Sequence, residues 1–465
     1  MDYESFENLI KEAVEEFKKI NIPIRVISNY DSDGIAAASI LIKALHRENK
    51  KFVVSIIKQL KKDFLEELSR ENYKVIIFTD LGSSCINLIN NILNEKKVLI
   101  LDHHKPDAIE NKSNIIHINP LLFGINANEI SGAGVTYLFC KSLNEDNKES
   151  AYLAIIGAIG DMQEEKGFIG LNKEILEDAK YKLEIKIGLR MFGMQTKPLH
   201  KVLEYSTDPY IPGVSGSEEN SILFLEDIGI KIKENDKWRK LIDLNNDEMK
   251  KLVTGIILKR LGSEKNPEDV LGPIYILKEE LEELPTKDLR EFSTLLNATG
   301  RLGKSSLGIG VCLNNKGMKD KAFQVLKEYK LEIINALNWF YKNRKTNNII
   351  EDKSFVFINA ENNIKDSLIG TLASIISKSN FYDDNTIILA MAYTLDDNIK
   401  ASLRITGKSN IDLRNILEEI SKEVKIEFGG HKNAAGCIFS LDKEEDFIKS
   451  AIEFLKNRIN VKIAE

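Results

Sequence analysis

Carboxylates and imidazoles gather at four points in the first third of the chain: Asp31-Ser32-Asp33-Gly34, Asp80, Asp102-His103-His104 and Gly160-Asp161. Oxygen ligands joined by one or more imidazoles suit Mn²⁺ or Mg²⁺, whereas structural zinc favours thiolates. Two such ions about 3.5–4 Å apart share a bridging carboxylate and a water, lower that water's pKa and neutralise charge growing on phosphoryl oxygens. Attack by metal-bound hydroxide then needs no serine or cysteine nucleophile. Each segment alone has a plainer reading. Asp-x-Asp-Gly is a common turn, Asp80 or Asp161 could cap a helix, and a His-His pair could lie on the surface. Their joint order along the chain favours the metal-binding reading.

The elements that must position these residues are visible in the apolar pattern. Phe6, Leu9, Ile10, Ala13, Val14 and Phe17 recur at helical spacing, so the chain opens with an amphipathic helix over 4–20. An apolar strand at 24–28 leads to a turn and a small-residue helix at 35–45. Further apolar runs stand at 52–57, 75–79 and 98–101. Strand, loop and helix in alternation predict a mostly parallel sheet with helices on both faces. Asp31 and Asp33 alternate with Ser32, so in extended backbone their carboxylates share a side. The runs ending at Thr79 and Leu101 deliver Asp80 and Asp102-His103-His104 to the same edge, beyond the carboxyl ends of the strands, where open sheets bind ligands. Helices at 134–143 and 150–159 close this first domain, which runs to residue 196.

Pro198, Pro209, Pro212, Gly213 and Gly216 punctuate the next stretch, 197–290, an inserted or connecting segment of mainly helical character. Ser215-Gly216-Ser217-Glu218 fits a capping box starting a helix that buries Ile222, Leu223 and Leu225. The remainder, 291–465, holds a Gly-rich segment at 297–310, a long helix around 320–344, strands at 355–358 and 387–393, and a last strand and helix after Gly429.

Bulk properties narrow the classes. With 465 residues, two or three domains are expected. The composition, 43% hydrophobic and 29% charged, is that of a globular protein rather than a disordered one. No run of about 18 apolar residues suggests a membrane span, and the acidic, amphipathic start lacks a signal-peptide core, so the cytoplasm is the expected compartment. Cys85, Cys140, Cys312 and Cys437 form no Cys-x-x-Cys pair and read as reduced, mostly buried thiols. A net charge of −6 argues against general polyanion affinity but leaves room for a local basic groove.

In this order the four acidic segments resemble the signature of the DHH phosphoesterase family. Phe428-Gly429-Gly430-His431-Lys432-Asn433-Ala434-Ala435-Gly436 resembles the GGHxxAAG motif of the family's associated C-terminal domain. Leu296-Asn297-Ala298-Thr299-Gly300-Arg301-Leu302-Gly303 resembles the linker motif of RecJ exonucleases, and Ala401-Ser402-Leu403-Arg404 their SxR phosphate-binding element. Pro209-Tyr210-Ile211-Pro212-Gly213 points to the archaeal RecJ-like branch. The resemblance implies an α/β fold. A mostly parallel-sheet DHH domain (1–196) is joined by the inserted segment (197–290) to a smaller α/β C-terminal DHH-associated domain (291–465).

Carried over by position, the resemblance implies that Asp31 and Asp80 hold a first Mn²⁺ or Mg²⁺. Asp33, Asp80, His103 and Asp161 would hold a second, with Asp80 bridging. Asp102 would orient its neighbours, and His104 and His431 would meet the scissile phosphate together with the Gly429 and Gly430 amides. Arg301, Ser402 and Arg404 would bind a terminal phosphate, Arg gripping its oxygens bidentately. One departure is Asn29, where RecJ-like proteins carry an acid or imidazole; a neutral amide is a weaker ligand. The cluster Trp339, Phe340, Tyr341, Lys342 and Arg344 has the composition of a stacking path for a single strand, although Trp339 and Phe340 at helical spacing more often pack in a core.

The implied activity is a metal-dependent exonuclease cutting single-stranded DNA or RNA, from a 5′ end on DNA, in replication or repair. Two alternatives stand beside it: a phosphodiesterase of oligoribonucleotides or cyclic dinucleotides, and a replisome-associated scaffold with weak nuclease activity. Partners implied by the resemblance are single-stranded nucleic acid and GINS or a single-strand-binding protein.

Overall fold

The computed structural model describes residues 1–107, 114–164, 167–206, 209–262, 266–379, 381–407 and 409–462, without the side chains of His431 and 457–462. Two compact units emerge, one of Met1–Val202 with Leu225–Leu326, the other of Leu203–Phe224 with Lys327–Glu465. Residues 291–326 thus group with the first unit, while the three-segment division at 196 and 290 remains our proposal for how the chain is organised.

The first unit opens with α1 (Tyr3–Lys18), β1 (Ile24–Asn29), α2 (Ser32–Arg47), β2 (Phe52–Ile57), α3 (Lys62–Arg70), β3 (Val75–Thr79), α4 (Ile86–Ile92), β4 (Lys97–Leu101) and β5 (Ile115–Ile118). The strands form one five-stranded sheet in the order β2-β1-β3-β4-β5, with every pair parallel. Strand alternation sends Ile27, Ile76, Phe78, Val98 and Ile100 to one face, against Leu65 and Leu68 of α3 and Ile86 and Ile89 of α4. The other face takes Phe17 of α1 against Val75, Ile77 and Leu99. The α/β class with helices on both faces is borne out. The strand order reverses between β1 and β3, and at such a switch point a crevice opens beyond the carboxyl ends of the strands.

Of the next helices, α5 (Gly132–Leu143) and α6 (Ala151–Gly160) pack on α2, and α7 (Gly170–Ala179) packs on α6. The chain then runs through β6 (Leu183–Leu189), α8 (Leu199–Glu204), α9 (Glu218–Asp227), the short ribbon β7 (Lys233–Glu234) and β8 (Lys237–Trp238), α10 (Asn246–Arg260) and β9 (Leu271–Leu277). β6, which precedes the 197–290 segment, pairs antiparallel with β9 inside it, and the longest elements of the segment are the helices α9 and α10. The start of α9 corrects the expected capping box. Ser217 Oγ, not Ser215, accepts the Asn220 amide at 3.2 Å, while Ser215 Oγ accepts Ile211 N–H at 3.0 Å. Leu223 is exposed, and Phe224 and Leu225 are the buried residues.

The Gly-rich segment at 297–310 is helical, shared between α11 (Leu289–Arg301) and α12 (Ser305–Cys312); α13 (Lys316–Asn343) follows. The second unit is built on β10 (Ile349–Glu351), β11 (Phe355–Asn359), α14 (Asp366–Lys378), β12 (Ile387–Tyr393), β13 (Asn398–Ile405), α15 (Leu413–Ser421), β14 (Glu427–His431), β15 (Ala434–Ser440) and α16 (Glu444–Lys462). Its six-stranded sheet runs β10-β11-β12-β13-β15-β14. Leu389, Ala401, Leu403 and Cys437 on one face pack under Leu413 and Leu417 of α15 and Phe447 of α16. Phe340 is core and Trp339 half-buried, whereas Tyr341 is 44% exposed and Arg344 pairs with Glu351 at 2.6 Å. Only part of that proposed stacking cluster therefore reaches the surface. Cys140, Cys312 and Cys437 are buried, Cys85 is half-buried, and none is in a disulfide. Among the described residues no helix is long and apolar enough to cross a membrane.

Candidate metal centre

The Asp-x-Asp-Gly turn is not extended, as strand alternation suggested. Asp31 is the N-cap of α2, its Oδ1 accepting Gly34 N–H at 3.0 Å, and Asp33 lies in the helix's first turn. The two carboxylates converge because a cap and the second helical residue both face the loop end of the sheet. Asp33 is buried at a second helix start as well, its Oδ2 accepting Gly132 N–H at 2.7 Å and its Oδ1 accepting Ala133 N–H at 3.0 Å. Unpaired amides at the start of α5 thereby hold a carboxylate in place.

Asp80 follows β3 with φ +57, a left-handed conformation that few residues tolerate. Its side chain is buried, and neither carboxylate oxygen has a hydrogen-bond partner. Gly132 makes room for it, since a Cβ there would overlap the Asp80 carboxylate. His103 brings Nε2 to 3.1 Å from Asp161 Oδ2, 3.5 Å from Asp80 Oδ1 and 3.8 Å from Asp33 Oδ2. Neither of its ring nitrogens makes a hydrogen bond. Asp161 is the C-cap of α6.

Two groups of side chains stand close enough to share a cation, Asp33 with His103 and Asp161, and Asp80 with His103 and His104. Asp31 stands close enough to raise the pKa values of Asp33 and Asp80. Burial, then the Asp161 charge, pushes Asp33 up to about 7. Burial, with Asp33 and Asp31 as neighbours, raises Asp80 well above the carboxylate range, and burial and Asp161 raise Asp31. Buried acids crowded together with two orphaned oxygens cost free energy unless a cation neutralises them. The donor set, carboxylates plus imidazole without thiolate, fits Mn²⁺ or Mg²⁺.

Asp102 plays a different part. Its Oδ2 accepts Ser83 N–H at 2.9 Å, and its Oδ1 accepts His103 N–H at 2.8 Å and stands 2.7 Å from His104 Nδ1. Burial works against its charge, yet His104 holds it far below the carboxylate range. Burial likewise opposes charge on His104, and Asp102 outweighs it, raising the ring to about 10. Asp102 therefore orients His104 and stays ionised.

Part of a neighbouring layer escaped the sequence. Asn297 Oδ1 accepts Ser32 N–H at 2.9 Å and Ser293 Oγ meets Ser32 Oγ at 2.9 Å, so α11 clamps the loop. Ser28 Oγ donates to Gly34 O at 2.7 Å and receives Thr79 Oγ1 at 2.7 Å, tying the ends of β1 and β3. Arg301, at the end of α11, lowers the Asp31 pKa by its charge. Asn29 lies beside this site with Nδ2 3.5 Å from Asp31 Oδ2. Asn297 and Arg301 lie in the linker motif and Asn29 stood out as a departure, whereas Ser28, Thr79 and Ser293 carried no signal beyond their polar character.

Sequence comparison agrees with the geometry. The model described as the DHH family, N-terminal domain, matches residues 23–160, the DHH-CID domain 191–271 and the DHHA1 domain 352–457. An uncharacterised protein of Methanocaldococcus jannaschii is 33% identical over 450 residues, 94% of each chain. The chain belongs to the DHH family. Among solved structures, RecJ of Thermus thermophilus in complex with Mn²⁺ matches this DHH-family chain with TM-score 0.59 at 15% identity, over 98% of this chain and 55% of that one. The chain thus spans about half the length of that RecJ. CDC45 of Entamoeba histolytica matches with TM-score 0.63 at 13% identity, over 98% and 99% of the two chains. The fold is RecJ-like.

In the second unit, the expected substrate residues share a patch. Ser402 and Arg404 stand on one face of β13 beneath α14, Arg404 Nε donating to Ser374 Oγ at 2.8 Å. Across the sheet Ser402 pairs with Gly436, which pairs with Gly429; Arg404 pairs with Ala434, which pairs with His431. Gly430 sits between these rows opposite Ala435. The His431 side chain lies outside the described residues.

Proposed function

We propose that this protein is a metal-dependent phosphodiester hydrolase that acts as an exonuclease on single-stranded nucleic acid, from a 5′ end on DNA and also on RNA. The observation that carries the reading is the buried Asp80 carboxylate, without a hydrogen-bond partner, beside Asp33, His103 and Asp161. Asp31 and Asp80 would hold one cation, and Asp33, Asp80, His103 and Asp161 the second. When bound, Mn²⁺ or Mg²⁺ supplies the Lewis acidity that activates water and offsets charge on phosphoryl oxygens. His104, oriented by Asp102, presents its ring to the scissile phosphate, and Arg301 adds positive charge beside Asp31. Ser402, Arg404, His431 and the Gly429 and Gly430 amides would bind a phosphate of the substrate, since Arg and backbone donors near glycines suit anions.

The test is hydrolysis of strands labelled at the 5′ or 3′ end, DNA and RNA, with Mn²⁺ and with chelator. Stepwise shortening in Mn²⁺ that stops in chelator is expected; its absence on every strand would end the proposal. Comparing a two-nucleotide with a thirty-nucleotide substrate separates this reading from an oligoribonucleotide phosphodiesterase. A second reading, a replisome-associated scaffold with weak nuclease activity, gains support from the match to CDC45 over almost all of both chains. Capture of GINS or a single-strand-binding protein by a hydrolytically silent chain would favour it.

Metal binding should also depend on pH in a fixed direction. Asp33 is raised from 3.8 to about 7, so between these values the unfolded chain releases a proton that the fold retains. The metal-free fold consequently loses stability as pH rises through that window. For His103, burial opposes protonation and Asp161 outweighs it, raising the ring from 6.5 to about 10; that stabilisation too is lost as pH rises. A divalent cation takes over from these protons. The gap in melting temperature between Mn²⁺-loaded and chelated protein should widen from about pH 5.5 to about pH 7.5. Differential scanning calorimetry checks this; a gap that narrows would contradict it.

A further inference from the structure

We infer that Ser83, His117 and Asn119 are positioning residues that hold the Asp102–His104 pair in its working orientation, an inference that rests on the phosphodiester-hydrolase reading. Ser83 opens the turn after Gly82 and gives its backbone N–H to Asp102 Oδ2 at 2.9 Å. Asn119 is fully buried. Its Nδ2 donates to His104 O at 2.8 Å and to Ser83 Oγ at 2.8 Å, while its Oδ1 accepts Leu121 N–H at 2.9 Å. One amide therefore holds the backbone of His104, and one serine holds the carboxylate that aims the ring.

The Ser83 hydroxyl joins the two. It accepts from Asn119 Nδ2 and makes a second hydrogen bond with His117 Nε2, 2.8 Å away. His117 stands on β5 opposite Ile100 of β4, in the sheet that supports Asp102. Burial pushes its ring down to about 4, so the ring is neutral at neutral pH. A buried chain of hydrogen bonds resists rotation more than its separate links would. Outer partners of this kind typically change activity by about 10–100-fold when removed.

The experiment compares Ser83→Ala, Asn119→Ala, His117→Leu and His117→Gln in the full chain. Ser83→Ala keeps the backbone donor to Asp102 and deletes only the hydroxyl. Expected is a fall in kcat of about tenfold or more for the first three variants, with KM and the Mn²⁺ affinity read by electron paramagnetic resonance each held within about twofold of the parent. His117→Gln, which restores a side chain able to hydrogen-bond Ser83 Oγ, should recover most of the rate. Loss of Mn²⁺ affinity in step with kcat would overturn the inference, because the residues would then support the fold of the whole site. A readout independent of hydrolysis is the downfield proton resonance of His104 Nδ1–H against Asp102, in the metal-free or Mg²⁺-loaded protein. Ser83→Ala and Asn119→Ala should shift or broaden it. An unchanged resonance would sink the positioning role even if the protein proves to be no hydrolase, and absent hydrolysis in the parent chain would instead count against the proposed function alone.

Discussion

Asp80→Asn should lose at least about 10²-fold of Mn²⁺-dependent hydrolysis, about 2.7 kcal/mol of barrier, while its metal-free form melts at a higher temperature than the parent. The two effects share one cause. The Asp80 carboxylate is buried with neither oxygen bonded, and burial together with Asp33 and Asp31 raises its pKa well above the usual value. An acid whose folded pKa is raised destabilises the fold at every pH above its unfolded value, so neutral asparagine relieves the metal-free protein. The same carboxylate is the bridging ligand of the proposed pair of ions, so the relief comes at the expense of binding. Asparagine is the right replacement because residue 80 has φ +57, which Asn tolerates and Ala does not. An alanine variant would mix a backbone cost of about 1–2 kcal/mol into the result. Calorimetry in chelator and in Mn²⁺, beside the end-labelled assay, reads both halves. Retained hydrolysis in the variant would defeat the assignment of Asp80, and a lower metal-free melting temperature would show that its oxygens are better satisfied than the geometry indicates.

What could be read in advance, and what could not, follows from where the physical information sits. β1, β3 and β4 were legible because fully buried parallel strands are continuous apolar runs, and each ended on a residue type that stands out. β5 has only the four residues Ile115–Ile118, one of them a histidine, and carries no such signal. β13 alternates Lys400, Ser402 and Arg404 with apolar residues because one of its faces meets α14 and the other the core under α15, a half-buried pattern easily taken for a polar motif alone. Acids and imidazoles announced the candidate metal centre, yet the groups that hold Asp33, the Gly132 and Ala133 amides, have no side-chain signature at all. Likewise the clamp from Ser293 and Asn297 spans more than 260 residues of sequence and depends on tertiary packing. The Ser217 cap was displaced by two residues from the expected Ser215: only Ser215 has a glutamate three residues on, but its hydroxyl is taken up by Ile211 N–H in the preceding turn.

Gly300→Ala provides the second large effect, with a sign that tests the seating of α11. In an exposed helix interior, alanine is more favourable than glycine by about 1 kcal/mol. Here a Cβ would run into the Tyr30 carbonyl oxygen and meet Ile35 Cδ1 at 3.4 Å, in helix α2. The carbonyl belongs to the backbone immediately before Asp31, so it cannot swing aside as a long side chain would. Either α11 lifts or the loop shifts. Lifting α11 weakens the Ser32–Asn297 and Ser32–Ser293 bonds, both 2.9 Å, and shifting the loop moves Asp31 and Asp33 off their positions. Overpacking of this kind costs about 1–3 kcal/mol and exceeds the helix-propensity gain. The variant should melt several degrees lower in chelator and bind Mn²⁺ more weakly, because the clamp and the ligands share one loop. Measuring both in the same preparation isolates the mechanism. If Gly300→Ala instead melts at or above the parent, α11 does not press on the Asp-x-Asp-Gly turn, and the loop must be held by β1 and the start of α2 without it.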